Sequence, residues 1–287
     1  LYALDVTDPT HFDAADGMWE DTEADLGIAL GKPLIARLNN GKMAVLVGNG
    51  YNSSSERAVL YAIDLETGAL IRKIDTLAGS AGDTNGLTTP RGWDDDANGT
   101  LDVVYAGDRL GNVWKFDLSS SNSASWGSAF SSAGVPAPFF VARDAGGKRQ
   151  PITGGMSIGV NPRRGDPNFG KRYVFVGTGR YITTSDVTNN ATQSWYGLID
   201  DDTTAIPTRC AACTSLVLRT IDTEGTAGGH AVRTFSAATA GDMTGKRGWV
   251  VDMPSPVSGA LGERFTSEQK YLGTVLLATS MIPSSNQ

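Results

Sequence analysis

Leu60–Gly68 reads LYAIDLETG. Its large apolar residues mark a strand, and the Asp-Thr-Gly cluster behind them marks a turn. The phrase returns as LYALDVTDP from Leu1 and VWKFDLSSS from Val113, and more loosely as WYGLIDDDT from Trp195 and GWVVDMPSP from Gly248. Each copy carries an aromatic residue (Tyr2, Tyr61, Trp114, Tyr196, Trp249) and an Asp three or four places later (Asp5, Asp64, Asp117, Asp200, Asp252).

A second phrase precedes three of these copies: AVLVGNGY at Ala44, VVYAGD at Val103 and YVFVGTGRY at Tyr173. It is an apolar strand ending in Gly, where a chain can turn or pass close to a neighbour. A weaker strand comes earlier in each unit: KPLIARL at Lys32, GLTTPRGW at Gly86 and ITGGMSIGV at Ile152. The unit is therefore strand, loop, strand ending in Gly, loop, strand ending in Asp, repeated at about 50 to 80 residues. The expected fold is all-β, a β-propeller with modified, quinoprotein-like blades, occupying residues 1–287 as a single domain. A copy of the second phrase, VLLATS at Val275, stands without its partner, so the propeller is expected to be incomplete. A β-sandwich with accidental similarity is the alternative.

Composition agrees with such a fold. Hydrophobic residues make up 40% and charged residues 19% of the 287, which excludes a disordered chain. The 35 glycines, without long helical periodicity, favour short strands joined by turns. A net charge of −7 excludes a nucleic-acid surface, which needs clustered Lys and Arg. The longest apolar runs, such as YLGTVLLATSMI, are too short for a transmembrane helix. No signal peptide is visible and the chain opens on Leu1 inside a predicted strand, so it reads as a fragment of a longer precursor.

Chemistry concentrates in RGWDDDANGTLDVVYAGD, Arg91–Asp108, the loop between the first two strands of one unit. Counting Asp94 as the first position, the odd positions are Asp94, Asp96, Asn98, Thr100 and Asp102, with Gly99 sixth. This is the ligand order of an EF-hand loop: side-chain oxygens at the first, third and fifth positions, a backbone carbonyl at the seventh, and glycine for the sharp turn. Asp95 and Ala97 are expected to point away. No helices flank the loop, and Tyr105 stands where the EF-hand has its bidentate Glu, so Asp102 must close the site directly or through water. The expected cation is Ca²⁺ rather than Mg²⁺, held with an affinity on the order of micromolar to millimolar. A turn held only by Asx hydrogen bonds is the alternative. One site is expected, because the equivalent loops LNNGK (Leu38–Lys42) and NPRRGDPNFGKR (Asn161–Arg172) lack alternating oxygens.

The run WDDDANGTLDVVYAGDRLGNVWKFDLSS, Trp93–Ser120, resembles the C-terminal propeller domain of the PilY/PilC family of type IV pilus biogenesis proteins. LYALDVTDP, AVLVGNGYNS, LYAIDLETG, VFVGTGRYI and TSMIPSS are similar to that family as well, so the resemblance covers nearly the whole chain. It implies an exported, non-enzymatic propeller at the pilus tip and cell surface, with periplasmic or outer-membrane association as alternatives. It also implies partnership with minor pilins and the pilus machinery, calcium-dependent opposition to retraction, and roles in adhesion, host-cell contact and twitching motility. The family's calcium ligands map onto Asp94, Asp96, Asn98, Thr100 through its backbone, and Asp102.

Two other readings compete. LYAIDLETGALIRKI also looks like the repeats of quinoprotein dehydrogenases, which hold pyrroloquinoline quinone, but only one copy resembles them well. An integrin-like calcium propeller shares the loop chemistry but repeats it in several blades. Cys210 and Cys213 read as a loop disulfide, with two buried thiols as the alternative; a zinc site would need two more ligands. Arg164-Gly165-Asp166, an integrin-type tripeptide, reads as coincidence in a turn. His11 and His230 have no nucleophile-elbow motif to serve and are taken as structural or exposed.

Overall fold

The structure, a computed structural model, describes residues 1–10, 13–210 and 212–284. Its regular elements are strands and three short 3-10 turns, with no α-helix among the described residues. No described helix is long and apolar enough to cross a membrane. The chain divides into two compact units, Leu1–Ala106 with Trp114–Ala137, and Gly107–Val113 with Pro138–Gln287.

In the first unit β1 (Tyr2–Leu4) and β2 (Gly17–Glu20) form a hairpin. Then β3 (Leu34–Arg37), β4 (Met43–Gly48), β5 (Val59–Asp64) and β6 (Leu70–Asp75) pair in sequence order as an antiparallel sheet. A second sheet follows the same order through β7 (Arg91–Trp93), β8 (Val103–Gly107), β9 (Asn112–Asp117) and β10 (Gly127–Ser128). A small hairpin of β11 (Phe130–Ser132) and β12 (Val135–Ala137) ends the unit.

In the second unit β13 (Phe140–Val141) lies beside Asn112 and Val113. The strands that follow are β14 (Ser157–Val160), β15 (Arg172–Gly177), β16 (Ser194–Asp200), β17 (Val217–Arg219), β18 (Ile221–Ala227), β19 (His230–Phe235), β20 (Gly248–Asp252), β21 (Lys270–Leu272) and β22 (Val275–Leu277). The third sheet orders them β14-β15-β16-β20-β17, with β17 parallel to β20 and every other neighbour antiparallel.

The repeated phrases occupy consecutive strands of each sheet: β3-β4-β5, β7-β8-β9 and β14-β15-β16. GWVVDMPSP departs from the expected pattern. It does not close a further unit but adds β20 as the fourth strand of the third sheet. Trp249 of β20 sits opposite Gly197 of β16, where a Cβ would come within 2.4 Å of the indole, so glycine makes room for the pairing.

Strands β4, β5 and β8 are buried almost throughout instead of alternately. Successive side chains point to opposite faces, and both faces of the first sheet are covered. Leu46, Leu60 and Ala62 pack with Val104, Trp114 and Phe116 of the second sheet. Val45, Val47, Tyr61 and Ile63 pack on the other side with Leu1, Trp19 and Leu26. The repeated Asp ends its strand by an Asx turn: Asp64 Oδ1 accepts from the N–H groups of Glu66 and Thr67, each at 3.1 Å, and Asp117 accepts from that of Ser119 at 2.9 Å.

Cys210 and Cys213 form a disulfide, with Cα atoms 5.0 Å apart. His230 opens β19 and is exposed, while His11 lies outside the described residues. Arg164 and Gly165 are exposed in the turn between β14 and β15, and Asp166 there accepts from the Asn168 N–H at 2.7 Å.

Candidate metal centre

The acid loop joins β7 to β8, with Asp94 directly after one strand and Asp102 directly before the other. The strands fix its ends: Trp93 faces Val103 in register, and the Asp102 N–H donates to the Trp93 carbonyl at 3.1 Å. Between them the chain turns through two left-handed residues, Ala97 (φ 60°) and Gly99 (φ 88°). A Cβ on Gly99 would meet nothing within 4 Å, so glycine is favoured here by backbone conformation and not by space. Ala97 is held in its uncommon conformation by the acids before it. The Asn98 N–H lies 3.2 Å from Asp94 Oδ1 and 3.1 Å from Asp96 Oδ1, and the Gly99 N–H donates to Asp94 Oδ2 at 2.8 Å.

These bonds gather negative charge. Oxygens of Asp94, Asp96 and Asp102 lie within 4.8 Å of one another. Two carboxylates at that spacing repel by roughly 1 kcal/mol even in bulk water. The Gly99 N–H, with those of Asn98 and Ala97 and against a contrary effect of burial, holds the Asp94 carboxyl below its usual range. Asn98 adjoins the cluster by donating from Nδ2 to Asp96 Oδ2 at 2.9 Å. Its Oδ1 accepts from the Thr100 N–H at 2.8 Å and hydroxyl at 2.5 Å. Asp95 is exposed and does not belong to the three-carboxylate cluster, though its N–H donates to Asp102 Oδ2 at 2.8 Å.

The donor chemistry fits a hard cation. Carboxylate, amide and carbonyl oxygens are the ligands Ca²⁺ takes, and neither a thiol nor an imidazole joins the described cluster. The arrangement can hold an ion and order a hairpin. Asp102 is buried at the base of the loop, whereas Asp96 is exposed at its rim.

One contributor was not foreseen from sequence. Asn39, in the LNNGK turn between β3 and β4, reaches across from the neighbouring sheet. Its Nδ2 lies 3.0 Å from Asp102 Oδ1, 3.0 Å from the Leu101 carbonyl and 3.1 Å from the Leu118 carbonyl. Its Oδ1 accepts from the Thr100 hydroxyl at 2.8 Å. The turn carries no alternating oxygens of its own, so only its position next to the acid loop reveals it.

The loop, its flanking strands and the three-strand unit bear on the family of the chain. The family model for the PilY1 β-propeller domain matches residues 1–228. The chain belongs to this family. A type IV pilus biogenesis factor PilY1 homolog of Xylella fastidiosa is 38% identical over 289 residues, and PilY1 of Pseudomonas aeruginosa is 33% identical over 317. Each alignment takes in 100% of the chain but only 21% and 26% of the respective relative. The crystal structure of the P. aeruginosa PilY1 C-terminal domain superposes with a TM-score of 0.82 at 32% identity, covering 98% of the chain and 61% of that domain. The fold is the all-β propeller fold of the PilY1 family, which sets aside the sandwich alternative. The chain spans about a fifth to a quarter of the length of the curated relatives it matches.

Proposed function

We propose that the chain is the calcium-binding propeller portion of a type IV pilus biogenesis factor. The observation that carries the calcium reading is the convergence of the Asp94, Asp96 and Asp102 oxygens within 4.8 Å. In this reading Asp94, Asp96 and Asn98 supply side-chain oxygens, Thr100 its backbone carbonyl, and Asp102 closes the site. Ca²⁺ neutralises the carboxylate repulsion, draws the loop together and fixes the β7–β8 hairpin, so order there follows the cation concentration. The ordered hairpin presents a surface to a pilus partner.

Family membership and the names of the relatives support the pilus role and favour it over the quinoprotein and integrin-like readings. The wider proposal follows the family resemblance. Residues 1–287 form one propeller domain or part of one, exported to the cell surface or pilus tip. There it acts without catalysis, meeting minor pilins and the pilus machinery, influencing extension and retraction, and supporting adhesion and motility, with a host-cell surface as a further partner.

Isothermal titration of the chain with Ca²⁺ tests the site. Wild type should bind one ion, and Asp94→Ala and Asp102→Ala should lose binding while keeping the circular dichroism of the parent. Unchanged binding in both variants would refute the assignment.

A further inference from the structure

We infer that Asn39 is a positioning residue of the calcium site, holding Asp102 and Thr100 for the cation and carrying its occupancy into the Leu38–Lys42 turn. The inference rests on the calcium reading proposed above and assigns that site a link to the neighbouring sheet.

The turn is a fixed platform. Leu38 is fully buried, its N–H donates to the Lys42 carbonyl at 2.9 Å, and the Gly41 N–H donates back to the Leu38 carbonyl at 2.9 Å. Gly41 adopts φ 84°, the left-handed conformation that closes so tight a loop. Leu38 bridges Leu101 in parallel, and the Leu101 N–H donates to the Arg37 carbonyl at 2.9 Å. The backbone of the turn is thus tied to the base of the acid loop before any side chain of Asn39 is considered.

On this platform the Asn39 amide has one sensible orientation. Its two N–H hydrogens face three acceptors, the Leu101 and Leu118 carbonyls and Asp102 Oδ1, while its oxygen faces a donor, the Thr100 hydroxyl. Asp102 is consequently gripped at both oxygens, Oδ1 by Asn39 and Oδ2 by the Asp95 N–H at 2.8 Å. Holding a ligating carboxylate from outside in this way sets its angle to the ion, and loss of such a contact weakens metal binding by about 10- to 100-fold.

The Thr100 hydroxyl supplies the link. It has one hydrogen and two acceptors, Asn98 Oδ1 at 2.5 Å and Asn39 Oδ1 at 2.8 Å. A cation that takes Asn98 Oδ1 as a ligand competes for that oxygen's lone pairs, and the hydroxyl turns to Asn39. Occupancy of the loop therefore strengthens a bond to the adjacent sheet, and the turn becomes more protected when Ca²⁺ is present.

Three measurements on the 287-residue chain test this: calcium titration calorimetry, thermal unfolding, and amide hydrogen exchange at residues 39–42, the last two each with Ca²⁺ or with a chelator. Asn39→Leu should raise the Kd for Ca²⁺ by about 10- to 100-fold and shrink the calcium-dependent rise in Tm. A purely structural Asn39 would lower Tm equally with and without calcium and leave Kd unchanged. Thr100→Val keeps the backbone carbonyl but removes the hydroxyl, so Ca²⁺ should no longer slow exchange in the turn; Thr100→Ser should restore the effect. If Asn39→Leu does not fold, the Thr100 pair decides alone. Wild type that binds no calcium refutes the site itself. Wild type that binds while Asn39→Leu binds equally well, or while exchange in the turn ignores calcium, overturns the role of Asn39 and leaves the site standing.

Discussion

Arg209 and Asp252 meet through two parallel hydrogen bonds, Nη1 to Oδ1 at 2.6 Å and Nη2 to Oδ2 at 2.7 Å. The pair ties the segment beside the Cys210–Cys213 disulfide to the end of β20, and Asp252 also accepts from the Ser194 hydroxyl at 2.5 Å. Burial alone would lower the pKa of Arg209, but Asp252 raises it, so the guanidinium stays charged. The Arg209 side chain is only 8% exposed, so removing its partner strands a buried cation. Asp252→Ala is expected to cost about 3 kcal/mol, the low end for a broken buried pair, because Asp252 keeps some contact with solvent. Denaturant unfolding should also show that Arg209→Met combined with Asp252→Leu costs less than Asp252→Ala alone. A double variant that is worse than the single one would contradict this account.

Calcium should stabilise the chain by linkage. At 100 times its Kd a single bound ion adds about 2.7 kcal/mol. Thermal unfolding should therefore shift upward when chelator is replaced by Ca²⁺, and the shift should vanish in Asp94→Ala. Asp102→Lys places an ammonium among the remaining carboxylates. It should respond little to added ion, while losing the hydrogen bonds that Asp102 accepts from Asn39 and the Asp95 N–H. A calcium-dependent shift of wild-type size in Asp102→Lys would count against Asp102 as a ligand.

Acid should weaken both units through buried carboxylates. Burial alone would raise Asp186, but Arg180, the N–H groups of Ile182 and Thr183, and the Thr183 hydroxyl bring its pKa down to about 2. Burial likewise opposes the fall of Asp25, which Lys73 and Ser55 also bring to about 2. Both folded-state values lie below the ordinary 3.8, so the stabilisation is complete above that value and is lost as pH falls toward 2. The Asp186 side chain is fully buried, and Asp186→Asn should cost about 2 kcal/mol at neutral pH. Its urea midpoint should also change less than that of wild type between about pH 5 and pH 2. Parallel pH profiles for the two proteins would count against the assignment.

The glycines that end β4 and β15 should resist substitution. A Cβ on Gly48 would lie 2.3 Å from the Thr88 carbonyl oxygen and 2.5 Å from that of Leu87, and one on Gly177 would lie 2.4 Å from the Phe265 Cβ. Overpacking of this kind costs about 1–3 kcal/mol. Neither obstacle can rotate aside, because a carbonyl oxygen and a Cβ are both fixed by the backbone, so each alanine variant should fall in that range. Chemical denaturation of both variants gives the comparison, and a Gly48→Ala protein as stable as wild type would show that the contact yields.

The strands, the Asx turns and the oxygen order from Asp94 to Asp102 were legible in the sequence, because each depends on residues a few positions apart. Side chains alternate across a strand, an Asp bonds the N–H two residues on, and a glycine opens a left-handed turn. None of these needs knowledge of a distant partner. The tertiary structure alone decided what happens between elements. GWVVD looks like the end of a new unit, yet β20 joins β16 because Gly197 leaves room for Trp249. LNNGK looks like an inert turn, yet Asn39 reaches Asp102 across 63 positions of sequence. Its contribution lies in where two sheet ends meet, and that is set by packing of the faces between them, which no local pattern records.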